Sequence, residues 1–134
     1  MSYLQVLSRH GVAHVYNHWS SMPPLAEQHA KMQGCTAVFT VLRLLTRLKM
    51  SYEAAKKRAE PYTKIVGELP EMRRETVHLV RQAVSEGRRA SVLVNNRSEG
   101  NALLTIQVLT DQLRDTPILC GFRWPYIIHC SLDA

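Results

Sequence analysis

Apolar positions change their period several times along the chain, and each change marks an element. Ser2 to His10 reads as a helix, stopped by Gly11 just past its C-cap. Val12-Ala13-His14-Val15-Tyr16 is a short apolar run suited to a buried strand. Asn17 to Pro24 reads as a loop, and Leu25 to Met32 as a short helix. Thr36 to Arg43 is a second strand, carried by β-branched and aromatic residues. Ser51 can cap a helix that runs to about Glu60, where Pro61 interrupts. From Pro70, a good first-turn residue, Met72, Thr76, Leu79, Val80, Ala83 and Val84 fall on one helical stripe. Arg73, Arg74, His78, Arg81 and Gln82 fall away from it, and Gly87 ends the helix. Ala90 to Val94 is a third strand, Asn95 to Asn101 a polar loop, and Ala102 to Arg114 a last helix with Ile106, Leu109 and Leu113 facing in. Residues 115–134 are apolar but broken by Pro117 and Pro125, and read as irregular.

This alternation predicts an α/β fold of about three parallel strands joined by right-handed crossovers. Buried parallel strands need cover on both faces, and three strands leave open edges. The pattern therefore predicts part of a larger sheet or barrel over residues 1–116. Residues 117–134 are an apolar tail expected to fold over the exposed surface. Whatever sheet surface stays open is a site for self-association.

Composition narrows the classes. The 134 residues suffice for one domain, and 46% hydrophobic with 21% charged residues is the mix of a globular chain. No run approaches the ~20 apolar residues of a membrane span, and the first residues lack a signal-peptide layout. Three cysteines, Cys35, Cys120 and Cys130, do not make a disulfide scaffold, so no membrane contact and a cytoplasmic location are expected. Seventeen Lys and Arg against eleven Asp and Glu give +6, which favours an anionic small molecule or nucleic acid as partner.

The segment Val92-Leu93-Val94-Asn95-Asn96-Arg97-Ser98-Glu99-Gly100-Asn101-Ala102 resembles the signature near the end of the domain-of-unknown-function-72 family. Leu7-Ser8-Arg9-His10-Gly11-Val12-Ala13 is similar to that family's helix, His-Gly-Val, strand passage. Trp19 with Pro23-Pro24-Leu25, and Val41-Leu42-Arg43-Leu44, resemble its next loop and strand. The likeness spans roughly residues 3–114 and implies the C-terminal part of a TIM-type barrel, a partial barrel in this chain. The chain departs at Leu44-Leu45-Thr46, where many relatives carry Leu-His-Gly. The family's activity is not established, so the likeness implies fold more than function.

In such a fold the loops after the strands converge on one face, and chemistry sits there. Three clusters would meet: Tyr16-Asn17-His18-Trp19, then Arg43, then Asn95-Asn96-Arg97-Ser98-Glu99. The last leads through Gly100 into a helix with Asn101 as N-cap, where free amides and the helix dipole attract an anion. Arg43 and Arg97 would add bidentate phosphate contacts, and a phosphodiester or sugar phosphate is the expected ligand class. The same Asn-rich turn can instead satisfy its own backbone and bind nothing. His18 or Glu99 would transfer a proton, and Trp19 would stack on a base or sugar. The alternative is a non-enzymatic fragment or module that binds nucleic acid or itself. No HExxH or CxxC spacing exists, so no metal site is expected and no cofactor is indicated.

Overall fold

The computed structural model describes residues 1–32, 35–115 and 126–131. The chain runs α1 Tyr3–Arg9, β1 Val15–His18, α2 Leu25–Ala30, β2 Phe39–Leu44, α3 Tyr52–Ala59, α4 Pro70–Ser85, β3 Arg89–Asn95, α5 Asn96–Glu99, α6 Ala102–Arg114 and β4 Tyr126–Ser131. Local chemistry starts the helices as the sequence suggests. Ser2 and Ser51 cap α1 and α3 through their hydroxyls, and Pro70 opens α4.

The four strands form one parallel sheet in the order β1-β2-β3-β4. The expected parallel α/β arrangement is present, with one strand more than the sequence suggested. Residues 126–131, expected to be irregular, pair with Ala90–Asn95 and extend the sheet beyond β3. Pro117 and Cys120 lie outside the described residues, as do the apolar tail positions Ile118, Leu119, Phe122 and Trp124.

The core lies on one face of the sheet. Tyr16, Leu42, Leu44, Val92 and Val94 pack there against Leu25 of α2, Met72, Leu79 and Val80 of α4, and Leu109 and Leu113 of α6. The three helices that cross from strand to strand thus share one face. Sequential strand order with same-handed crossovers requires this: the helices cannot alternate sides unless the strand order reverses. The other face carries Val15, Asn17, Val41, Arg43, Ser91 and Leu93, none of them fully buried.

β1 lies two to three residues later than the apolar run Val12–Tyr16 predicts. The Val12 amide donates to Leu7 O at 2.9 Å, which ties Val12 to the end of α1 and leaves it 48% exposed. Asn17 and His18 are therefore strand residues. The expected open edge of this first strand is also partly sealed. The buried Gln28 amide accepts from Asn17 N at 3.1 Å and donates to Asn17 O at 2.7 Å, standing where a neighbouring strand's peptide would. No helix among the described residues is long and apolar enough to cross a membrane.

Candidate functional site

The register brings all three expected clusters to the carboxyl end of the sheet. Asn17 pairs with Arg43, Arg43 with Leu93, and Asn95 lies two residues further along β3. Parity then divides the residues between the two faces. Asn17, Arg43 and Asn95 belong to the face without helices. His18 shares the parity of Tyr16 and lies on the helix side, 5% exposed. Trp19 follows in a turn closed by Met22 N to Trp19 O, with 45% of its surface exposed.

His18 is held from the loop after β2. The Thr46 carbonyl can only accept, so the 2.8 Å contact fixes the proton on His18 Nδ1 and leaves Nε2 as the basic nitrogen. Burial pushes its pKa below the usual 6.5, against the raising effects of the Thr46 carbonyl and Glu99; Arg47 adds to the lowering. The folded state therefore takes up this proton later than the unfolded chain. Its contribution to stability is present above the unfolded value and is lost as pH falls through that value toward the lower folded one. His14 titrates in the same sense, also through burial. We expect His18→Asn, which can still donate to Thr46 O, to flatten the loss of stability between about pH 7 and 5. Urea melts at several pH values check this; an unchanged slope would show that His18 does not carry it.

Glu99, expected as a proton-transfer group, is placed inside the fold rather than at its surface. Its side chain is fully buried and accepts from Leu69 N at 2.6 Å, Arg73 Nε at 3.2 Å, Arg73 Nη2 at 2.9 Å and Thr105 Oγ1 at 2.8 Å. Oε1 takes one of these bonds and Oε2 the other three, so both oxygens are held. Glu99 fastens the start of α4 to α5 and α6, and its buried carboxylate is committed to these partners. Its partner Arg73, which the helical stripe left on the outside, is 6% exposed.

The expected cradle of amides at the start of α6 is likewise occupied. Asn95 Oδ1 accepts from Arg97 N, Asn96 Oδ1 from Ala102 N, and Asn101 Oδ1 from Leu104 N, all at 2.8 or 2.9 Å. The asparagines satisfy their own backbone, the second of the two readings the sequence allowed. Asn101 Nδ2 also donates to Tyr62 O at 2.7 Å. Gly100, at φ +122°, lets the chain from Lys64 to Val66 cross directly over this junction, where any Cβ would collide. Ser98 is buried and donates to Met72 Sδ at 3.2 Å, so it packs inward.

What remains at this end is an excess of donors. Arg97 is 9% exposed, with its guanidinium 4.4 Å over the Tyr52 ring and Nη1 3.3 Å from the Tyr52 hydroxyl. Its Nε, together with Asn95 Nδ2 and Thr46 Oγ1, is buried without a hydrogen-bond partner among the described residues. Two further arginines converge nearby, which sequence reading missed. A Cβ on Gly67 would collide with the Arg58 guanidinium and come within 2.9 Å of Arg47 Nη1. Burial lowers the Arg47 pKa and the neighbouring Arg58 charge lowers it further, against the raising effect of Glu99. Among the described residues Arg43, Arg47, Arg58 and Arg97 form no ion pair, whereas Arg73, Arg74 and Arg88 each have a carboxylate.

No group of three or more His, Cys, Asp or Glu side chains among the described residues could hold a metal ion. A cleft of 460 Å³ lies between α4 and α6, lined by Arg74, Val77, His78, Arg81, Gln112 and Asp115, and shares no residue with the strand-end cluster. Comparison with protein-family models, curated proteins and solved structures finds no match for the chain.

Proposed function

We propose that this protein binds an oxyanion of the phosphate-ester class at the carboxyl end of its sheet. The observation that carries the reading is the one-sided chemistry there. Among the described residues Arg43, Arg47, Arg58 and Arg97 pair with no carboxylate, and buried Asn95 Nδ2 and Arg97 Nε have no acceptor. Nitrogen donors kept from water favour a ligand rich in acceptor oxygens, and guanidinium groups fit phosphate bidentately. The formal charge of +6 draws the same class of ligand. The helix-side neighbour His18 and the exposed ring of Trp19 flank this end.

The winding of the sheet supports a wider reading, that the chain is part of a TIM-type barrel as its resemblance to the domain-of-unknown-function-72 family implies. Sequential parallel strands with every crossover helix outside are the half-pattern of such a barrel, and barrels use this end for phosphate. Trp19, exposed beside the cluster, favours nucleic acid as a second class of partner through base stacking.

Titration with inorganic phosphate and pyrophosphate, followed by calorimetry, tests the first reading. Arg97→Met is expected to weaken binding about tenfold or more, the loss of one charge-assisted hydrogen bond. Absence of binding of either anion by the wild-type chain would overturn the proposal. A steep loss of oligonucleotide affinity with salt, together with loss in Trp19→Ala, would favour the nucleic-acid class.

A further inference from the structure

Resting on that reading, we infer that the seat of the anion is the space over Gly67, gripped by Arg47 and Arg58, and that it takes a phosphate monoester dianion in preference to a diester. Arg58 Nη2 and Arg47 Nη1 both approach the point a Gly67 Cβ would occupy, so they lie no more than about 5 Å apart, close enough for like charges to repel. The nearby carboxylates make their hydrogen bonds elsewhere, and only the charge of Glu99 reaches Arg47 to offset part of the repulsion. Glu60 pairs with Lys56 at 3.8 Å, Glu68 with Arg73 at 3.4 Å, and Glu99 takes its hydrogen bonds from Leu69, Arg73 and Thr105. Arg58 Nη2 has a carbonyl, Val66 O, at 3.3 Å, which accepts one proton but brings no charge.

A bound anion would turn this repulsion into attraction. Two guanidinium forks present more donors than the two free oxygens of a diester can use. The three terminal oxygens and charge of about −1.5 to −2 of a monoester suit them better. Glycine matters here for space. Any side chain at 67 would push the Arg58 guanidinium out of the pair. The backbone of Val66 and Gly67 is itself fixed, since both amides donate to Glu99 O, at 2.8 and 3.3 Å. The seat is thus tied to the same buried residue that holds α4.

The test compares inorganic phosphate with dimethyl phosphate by calorimetry on the wild-type chain, Arg58→Gln and Gly67→Ala. We expect inorganic phosphate to bind at least about tenfold tighter than the diester, and each variant to weaken phosphate binding by about tenfold. Arg58 is exposed, so its substitution leaves folding intact and keeps the test valid if Gly67→Ala disturbs the loop. Phosphate binding that is unchanged in both variants would place the seat elsewhere and leave the broader reading standing. Equal affinity for the diester would overturn the monoester preference. No oxyanion bound by the wild-type chain would remove both. Glycerol phosphate and a terminally phosphorylated dinucleotide then separate the sources of the group. Binding of either with the Arg58 dependence supports the seat, and failure of both while inorganic phosphate binds overturns the ester class.

Discussion

Replacing Glu99 with alanine is expected to remove about 3–5 kcal/mol of stability, enough to unfold much of the population of an ordinary marginal domain. The carboxylate is fully buried and collects four hydrogen bonds from α6, from Arg73 of α4 and from the Leu69 amide just before α4. Losing it leaves the Arg73 guanidinium, itself nearly buried, with only the exposed Glu68 at 3.4 Å. The cost is mainly that of the abandoned charge, so Glu99→Leu combined with Arg73→Met should recover part of it. Glu99→Gln should fall between, because it keeps the shape and loses the charge. Urea denaturation of the four proteins measures this. A loss below about 1 kcal/mol for Glu99→Ala, the size of an exposed ion pair, would show that the cluster does not hold the elements together.

The sequence carries the helices well because their signals are local. The stripe from Met72 to Ala83 is buried, Ser51 caps where expected, and Leu109 and Leu113 face the core. Strand ends are less legible, and for β1 this mattered. A run of apolar residues fixes that a strand exists but not where it starts, and the Val12 amide is claimed by α1. Shifting the strand by two to three residues moved His18 from a loop into the sheet, and parity then turned it away from Asn17 and Arg43. β4 is not legible in the sequence either. Pro117 and Pro125 interrupt the apolar run in the sequence, and only the pairing with β3 shows that Tyr126–Ser131 is a strand. The pairing of Arg73 with Glu99 spans 26 residues, and no spacing along the chain announces it. Nor does spacing bring Arg47 and Arg58 together over Gly67. Only the crossing of the 64–67 segment over Gly100 does so.

Deleting residues 117–134 should prevent the chain from folding to a soluble monomer. These residues were expected to lie over the exposed sheet surface; instead 126–131 continue the sheet itself. β4 pairs with β3 from Ala90 to Asn95, so its loss turns the most buried strand of the sheet into an edge. Val92 and Val94 are fully buried in the complete chain, and Ile128 packs against the same core. α6 also contacts β4 and would lose part of the surface it covers. Burial of each large apolar side chain is worth about 1.5–3 kcal/mol, and unpaired backbone groups along six positions add to the loss. The sum rivals the whole stability of a domain this size, about 5–15 kcal/mol. A freshly exposed parallel edge, unlike the one Gln28 seals at β1, also invites aggregation. Size-exclusion chromatography and circular dichroism of the shortened chain test this, with Ile128→Ala in the full chain as a milder version expected to cost about 1–2 kcal/mol. A monodisperse shortened chain that melts at the temperature of the intact one would mean that β1, β2 and β3 with their helices fold by themselves, and that β4 contributes nothing to holding them.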